Sequence, residues 1–270
     1  MLSITVNNHT YQADLLVFDK DGLMFDSEQF WIEMANARIR AISKHCSKED
    51  LLSWANIMGV RTEMTEEGKI EATWVDPIGI LAVAPPTEEM IILAGFLTSR
   101  LGTVWHKGRN LAAKLFAESD EDIDLHRALK PQPGYVSLMK RINDLKIPYG
   151  VATSDTLERT RDSMTFYDCW KNVRFVVTPT DVPRGKPNPD MLEYISKKNG
   201  VLLNRIVMIG DSYVDVKMAK SAGSIGIGVT PFEEMQEKMK PYATEIVESL
   251  EEVEINLCKE SENDENGIGA

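Results

Sequence analysis

The sequence predicts an α/β protein: a parallel β-sheet with helices on both faces, interrupted by a long, mainly α-helical insertion. Three observations predict it. The apolar run Leu15 to Phe18 ends in Asp19-Lys20-Asp21-Gly22, and from Pro131 onward apolar strands alternate regularly with amphipathic helices. Between them, from Ser27 to about Lys130, the apolar periodicity is helical. Short unbroken apolar runs are the signature of strands buried on both faces, and β–α alternation is the signature of a parallel sheet covered by helices. The expected division is 1–26 with 131–257 as the α/β core, 27–130 as an inserted helical cap domain, and 258–270 as an acidic, disordered tail.

Each element has its own local warrant. The start, MLSITVNNHTY, reads as a strand, an Asn7-Asn8 turn and a return strand, and it lacks the basic start and apolar stretch of a signal peptide. In the insertion, Phe30, Trp31, Met34, Ala35, Ala41 and Ile42 mark one helical stripe. Ser47 with Asp50 makes a capping box for a helix ending near Gly59. Thr87-Glu88-Glu89 is expected to cap a helix reaching Gly102, and a further helix covers Val104 to Glu118. Gly68 to Pro86 carries no clear period. Beyond Pro131, helices over Tyr135 to Leu145, Leu157 to Tyr167, Asp190 to Asn199 and Val214 to Ala222 precede the strands IPYGVAT, VRFVVT, RIVMIG and SIGIGV in turn.

Composition narrows the function classes. A hydrophobic fraction of 43% with 27% charged residues is ordinary for a globular protein. No run approaches the ~18 apolar residues of a membrane span. Cys46, Cys169 and Cys258 are scattered without a CxxC, which fits reduced thiols and a cytoplasmic protein. The net charge is −12, and eight acidic residues with one lysine from Glu248 onward supply most of it. No clustered Lys and Arg offers a face for nucleic acid. His9, His45, His106 and His126 form neither a zinc set nor a Ser-His-Asp arrangement. A monomer and a homodimer fit the sequence equally.

Four fragments end predicted strands. Asp19 and Asp21 follow the first, and two carboxylates held close ask for a metal, an acid–base pair, or both. Read alone, Asp-x-Asp-Gly is also a common turn, while Leu23, Met24 and Phe25 argue against a calcium loop. VATSD places Thr153 and Ser154 as a helix cap or as holders of a phosphate oxygen. TDVPRGKPNPD carries Lys186 in a loop stiffened by proline. RIVMIGDSYVDV puts Asp211 and Asp215 on one face at the start of a helix, where either is also a plausible N-cap.

In this order the fragments FDKDGLMFDSE, VATSD, KPNPD and GDSYVD resemble the haloacid dehalogenase superfamily, in the branch of phosphoglycolate phosphatases, sugar phosphatases and β-phosphoglucomutase. The resemblance covers about Asp14 to Glu254 and implies a Rossmann-like core with a helical cap inserted after the first motif. It implies Asp19 as nucleophile forming an aspartyl-phosphate, and Asp21 as the acid and base for leaving group and water. Thr153, Ser154 and Lys186 become the phosphate holders, and Asp19, Asp211, Asp215 and the backbone carbonyl of Asp21 a Mg²⁺ site. The partner implied is a small phosphorylated metabolite. Mutases of this branch usually place a histidine where Trp31 stands, which favours water as acceptor and hence a phosphatase; a phosphomutase and a non-catalytic phospho-ligand-binding module are the alternatives. Glu28, Trp31, Arg61, Lys107 and Arg109 are the candidate substrate contacts of the cap, whose four tryptophans (Trp31, Trp54, Trp74, Trp105) are expected mostly in its own core. Lys20 stands where the family has an apolar residue, and is expected either to alter the charge of the site or to face solvent.

Overall fold

The computed structural model describes residues 1–258, so all but the first residue of the expected tail lies outside the described residues. Two compact units emerge: Met1–Met24 with the chain from Pro131 onward, and Phe25–Lys130.

The first unit opens with a hairpin of β1 (Leu2–Val6) and β2 (His9–Ala13). Asn7 and Asn8 form its turn at φ 50° and 65°, left-handed values that asparagine tolerates better than most residues. β3 (Leu15–Phe18) follows and is buried at every position.

The second unit contains α1 (Ser27–Ile42), α2 (Lys48–Met58), β4 (Val60–Met64), β5 (Ile70–Val75), α3 (Ile80–Val83), α4 (Pro86–Arg100), α5 (Trp105–Glu121) and α6 (Leu125–Ala128). Two expectations are corrected here. The unit is mainly helical as expected, but residues 60–64, for which no strand is expected, pair with β5 as an antiparallel hairpin. β4 buries only Val60, so its sequence VRTEM carries no period-2 apolar signal to announce a strand. And α4 begins at Pro86 without a side-chain cap, so Thr87 lies inside the helix. Pro at the first helical position takes that role because its missing N–H would be unpaired there anyway. The Ser47 cap and the left-handed Gly59 terminus of α2 are as expected.

A buried cation organises this unit. Arg38 is fully buried on α1, 3.0 Å from Glu89 of α4 and 2.9 Å from Asp120 of α5, with its guanidinium over the Phe116 ring. Glu89 is itself 3% exposed. Removing one partner of a buried pair leaves the other charge uncompensated, at a cost of about 3–5 kcal/mol. Arg38→Met is therefore expected to destabilise the protein by roughly 3 kcal/mol in denaturant unfolding, and Arg38→Met with Glu89→Leu to recover most of that loss. Equal losses in the single and double variants would count against the pairing.

The chain then completes the first unit with α7 (Tyr135–Asp144), β6 (Tyr149–Ala152), α8 (Leu157–Phe166), β7 (Val173–Val177), α9 (Asp190–Asn199), β8 (Ile206–Gly210), α10 (Tyr213–Ala222), β9 (Ile225–Val229), α11 (Glu233–Met239), β10 (Glu245–Val247) and β11 (Glu254–Leu257). β11 joins β1 and β2 in a three-stranded antiparallel sheet. The main sheet has six strands in the order β10-β9-β8-β3-β6-β7, all parallel. Leu15 and Val17 face α9 and α10 through Met191, Leu192, Ile195, Met218 and Ala219. On neighbouring strands, Phe18 meets Tyr149 edge to face at 5.5 Å.

This strand order positions the site. From β3 the chain goes to β6 and β7 on one side, then crosses to β8, β9 and β10 on the other. Beside β3 the order reverses, and in parallel sheets ligand sites form outside the carboxyl ends of strands at such a reversal.

Candidate active site

Asp19 is the first residue beyond β3, and its N–H donates to the carbonyl of Ile209 on β8 at 2.9 Å. That bond anchors the backbone of a residue whose side chain is almost wholly buried. On the other flank, the Thr153 N–H donates to Val177 O at 3.0 Å, fixing the exit of β6 against β7. Asp211 follows the last residue of β8, and Asp215 sits in the first turn of α10.

Lys186 closes the cluster from the loop after β7. Its Nζ is 2.6 Å from Asp19 Oδ1 and 2.6 Å from Asp215 Oδ1, with 4% of the side chain exposed. Asp215 Oδ2 accepts from the Ser212 N–H at 3.2 Å and the Ser212 hydroxyl at 2.8 Å, a reciprocal capping box. Asp215 is thus both helix cap and counter-charge to Lys186. Thr153 is fully buried and its Oγ1 accepts from the Asp155 N–H at 3.0 Å, whereas Ser154 is exposed.

Glycines let these groups approach. Gly22 has φ +87°, and a Cβ there would overlap the Asp211 carboxylate; a Cβ on Gly210 would overlap Asp215. Gln132, which no sequence motif marks, donates from Nε2 to Gly22 O at 3.0 Å and so holds the turn after Asp21.

Charge in this cluster is unbalanced. Burial pushes the Asp19 carboxyl up; Lys186 opposes that, while Asp215 and Asp21 reinforce it. Burial, then Asp19 and Asp215, raise Asp211 well above the usual carboxylate range. Burial alone would lower Lys186, but Asp19 and Asp215 raise it above its ordinary value, so it stays an ammonium.

Asp19, Asp211 and Asp215 present ligand oxygens all within 4.8 Å of one another. This donor set fits a small hard cation: the ligands are carboxylates, they repel one another, and Lys186 neutralises only part of the charge. The Asp21 carboxylate is not one of those three and faces Lys20.

Of the two expectations for Lys20, that it alters the charge of the site or faces solvent, the second is overturned. It is fully buried, with Nζ 2.5 Å from Asp21 Oδ1 and 3.0 Å from Asp155 Oδ2. Burial opposes its charge, but Asp21 and Asp155 raise its proton affinity above the ordinary lysine value. Asp155 is not among the residues the sequence marks, and its one signal there is a carboxylate directly after the hydroxyls of Thr153 and Ser154 at the end of VATSD.

The cap candidates belong to the second unit. Glu28 is exposed in the first turn of α1, where its N–H donates to the Asp26 cap at 2.9 Å. Trp31 is half-buried and packs edge to face on Phe30 at 5.3 Å. Arg61 stacks over Trp74, 4.2 Å from the ring centre, and Lys107 and Arg109 are exposed on α5. Of the four tryptophans only Trp54 is fully buried, while Trp105 is 50% exposed, so the expected aromatic core of the cap is smaller than its composition suggests.

Comparison with known proteins accords with this geometry. Residues 13–223 match the family described as haloacid dehalogenase-like hydrolase. The phosphoglycolate phosphatase of Escherichia coli K12 is 29% identical over 84 residues, which is 31% of this chain and 33% of that enzyme. The aligned stretch thus spans about a third of that relative's length. Among solved structures, Bacillus subtilis YfnB, described as a HAD-hydrolase bound to magnesium, superposes with TM-score 0.57 at 14% identity, covering 90% of this chain and 97% of that one. A Thermotoga maritima protein described as a β-phosphoglucomutase gives TM-score 0.56 at 20% identity, covering 88% and 95%. At such identities these two likenesses are of fold.

Proposed function

The chain belongs to the haloacid dehalogenase-like hydrolases, and from that membership we propose that it is a Mg²⁺-dependent phosphatase cleaving a small phosphomonoester through an aspartyl-phosphate. The observation that carries this reading is Lys186 Nζ held 2.6 Å from both Asp19 and Asp215, from a loop remote in sequence from either. A lysine so placed neutralises a nucleophilic carboxylate as an anionic phosphate approaches it. A carboxylate and an ammonium brought together with a flanking Thr153 and Ser154 are the parts phosphoryl transfer requires.

In the first half-reaction an oxygen of Asp19 attacks phosphorus, the bond from phosphorus to the ester oxygen breaks, and the Asp21 carboxyl hydrogen passes to that oxygen. In the second, the Asp21 carboxylate takes a proton from water as its oxygen attacks phosphorus. The bond from phosphorus to Asp19 then breaks and inorganic phosphate leaves. Thr153, the Ser154 amide and Lys186 orient the phosphoryl oxygens throughout. Asp19, Asp211, Asp215 and the Asp21 carbonyl would hold Mg²⁺, which supplies positive charge to the phosphoryl oxygens. The magnesium described for YfnB supports that choice of ion.

Trp31 in place of a histidine supports water as the acceptor. The substrate class proposed is a sugar phosphate, phosphoglycolate or a similar small ester, and the proposed setting is the cytoplasm; among the described residues no helix is long and apolar enough to cross a membrane.

The test is phosphate release from a panel of phosphoglycolate, hexose phosphates and nucleoside monophosphates. Expected is release with Mg²⁺, loss with EDTA and recovery when Mg²⁺ is restored. An isomerised sugar phosphate without free phosphate would replace this reading by a phosphomutase. Saturable ester binding without turnover would replace it by a binding module.

A further inference from the structure

Lys20 is a buried ammonium that the two half-reactions leave without a role. Its Nζ joins two loops of the first unit, lying 2.5 Å from Asp21 Oδ1 after β3 and 3.0 Å from Asp155 Oδ2 after β6. The Asp155 end of this link is rigid. Its N–H donates to Thr153 Oγ1 at 3.0 Å, its Oδ1 accepts from the Thr156 N–H at 2.7 Å, and Arg159 Nη1 lies 3.7 Å from the same oxygen. The Asp21 carboxylate, in a turn that Gln132 holds at Gly22 O, is the less enclosed end. Its side chain is 24% exposed and is followed by Gly22 at φ +87°, so its backbone neighbour adds no side chain to confine it. A side chain has staggered alternatives at each torsion, and a partly exposed carboxylate keeps one of them only where a partner fixes it. Lys20, itself without exposed surface, selects one.

The geometry points to Lys20 as the positioning residue of the proton-transfer step, holding the Asp21 carboxyl at the ester oxygen by bracing it against Asp155. This rests on the phosphatase reading above. It goes beyond that reading by giving a role to a residue the reaction scheme does not use. Reacting groups must be held within a fraction of an ångström and a few tens of degrees of the productive geometry, and a second layer of fixed hydrogen bonds is how that precision is kept.

The consequence is selective for the leaving group. A nitrophenolate departs without a proton, whereas an alkoxide needs one at the moment the bond to phosphorus breaks. The water step that follows also uses Asp21 and is common to all esters, so the selectivity belongs to the first half-reaction, where loss of Lys20 is felt with poor leaving groups and hardly with good ones.

The experiment compares benzyl phosphate with 4-nitrophenyl phosphate, two aromatic esters of similar size. In single turnovers with enzyme in excess, Lys20→Met is expected to slow release of benzyl alcohol from benzyl phosphate about 100-fold and of nitrophenolate from 4-nitrophenyl phosphate less than about 5-fold, with the enzyme concentration for half-maximal rate nearly unchanged for both. Because Lys20 acts through Asp21, Lys20→Met with Asp21→Asn should be no slower on benzyl phosphate than Asp21→Asn alone. Asp155→Asn keeps the ammonium but weakens its anchor, and is expected to show the same selectivity at about 5-fold; this variant carries the test should Lys20→Met fail to fold.

A uniform loss in the leaving-group release of both esters, additive losses in the double variant, or no loss would each overturn the assignment. A parent enzyme that cleaves neither these esters nor the metabolite panel would count against the phosphatase reading itself, which separates the two failures.

Discussion

Asp19→Asn is expected to reduce turnover at least ~10⁴-fold with every ester, because the amide cannot form the phosphoryl bond and no other carboxylate occupies its place. The companion expectation concerns stability. Burial and the nearby Asp215 and Asp21 push the Asp19 carboxyl up, so its charged form is costly in the folded protein without metal. Asparagine has a similar shape and removes that charge, while Lys186 keeps its contact with Asp215. The metal-free variant should therefore melt at or above the temperature of the parent, with turnover abolished. Calorimetry in EDTA beside a phosphate-release assay checks both halves. Turnover near the parent level would end the nucleophile assignment, and a large fall in melting temperature would show that Asp19 has a structural role instead.

Lys186→Met should behave in the opposite way. Lys186 is the ammonium shared by Asp19 and Asp215, and the Asp215 side chain is only 1% exposed. Without Lys186 these two carboxylates face each other in a buried setting, and the cost of such an unpaired arrangement is about 3–5 kcal/mol. The metal-free variant is expected to lose roughly 3 kcal/mol, a fall in melting temperature on the order of 10 °C for a chain of this size. Mg²⁺ supplies the missing positive charge, so it should raise the melting temperature of the variant more than that of the parent. Activity should stay at least ~10³-fold down even at saturating Mg²⁺, because the ion does not restore the ammonium beside Asp19. Unchanged stability in EDTA, or equal stabilisation of parent and variant by Mg²⁺, would refute the pairing as described. The two variants thus separate a group that reacts from a group that holds the reacting group.

Much of the first unit is legible in the sequence because its elements declare themselves locally. Leu15 to Phe18 is apolar without interruption and is buried without interruption. Asp190 to Asn199 carries a helical period and folds as α9 over that same span. Asn7 and Asn8 tolerate the left-handed backbone that a tight hairpin needs, and they form one. The hairpin of β4 and β5 is illegible for the complementary reason. Val60 is its only buried residue on the first strand, so the pattern that marks a half-buried strand is missing. β11 escapes notice as well: it has four residues, of which only Ile255 is buried.

Within the site, the sequence by itself determined which residues stand at strand ends, since each of Asp19, Thr153 and Asp211 follows an apolar run that fills one strand. It determined nothing about which of those ends are neighbours. That follows from the order β8-β3-β6, a product of packing among strands far apart in the chain, and it is this order that brings Asp19 between Asp211 and Thr153. The same holds for Lys20. Its identity is plain in the sequence, but a lysine is ordinarily a solvated charge. Only the folded arrangement, which places Asp155 opposite Asp21, offsets the cost of removing that ammonium from water. Periodicity reports how each segment meets the core, whereas a charge is tolerated inside only where the tertiary structure supplies its partner.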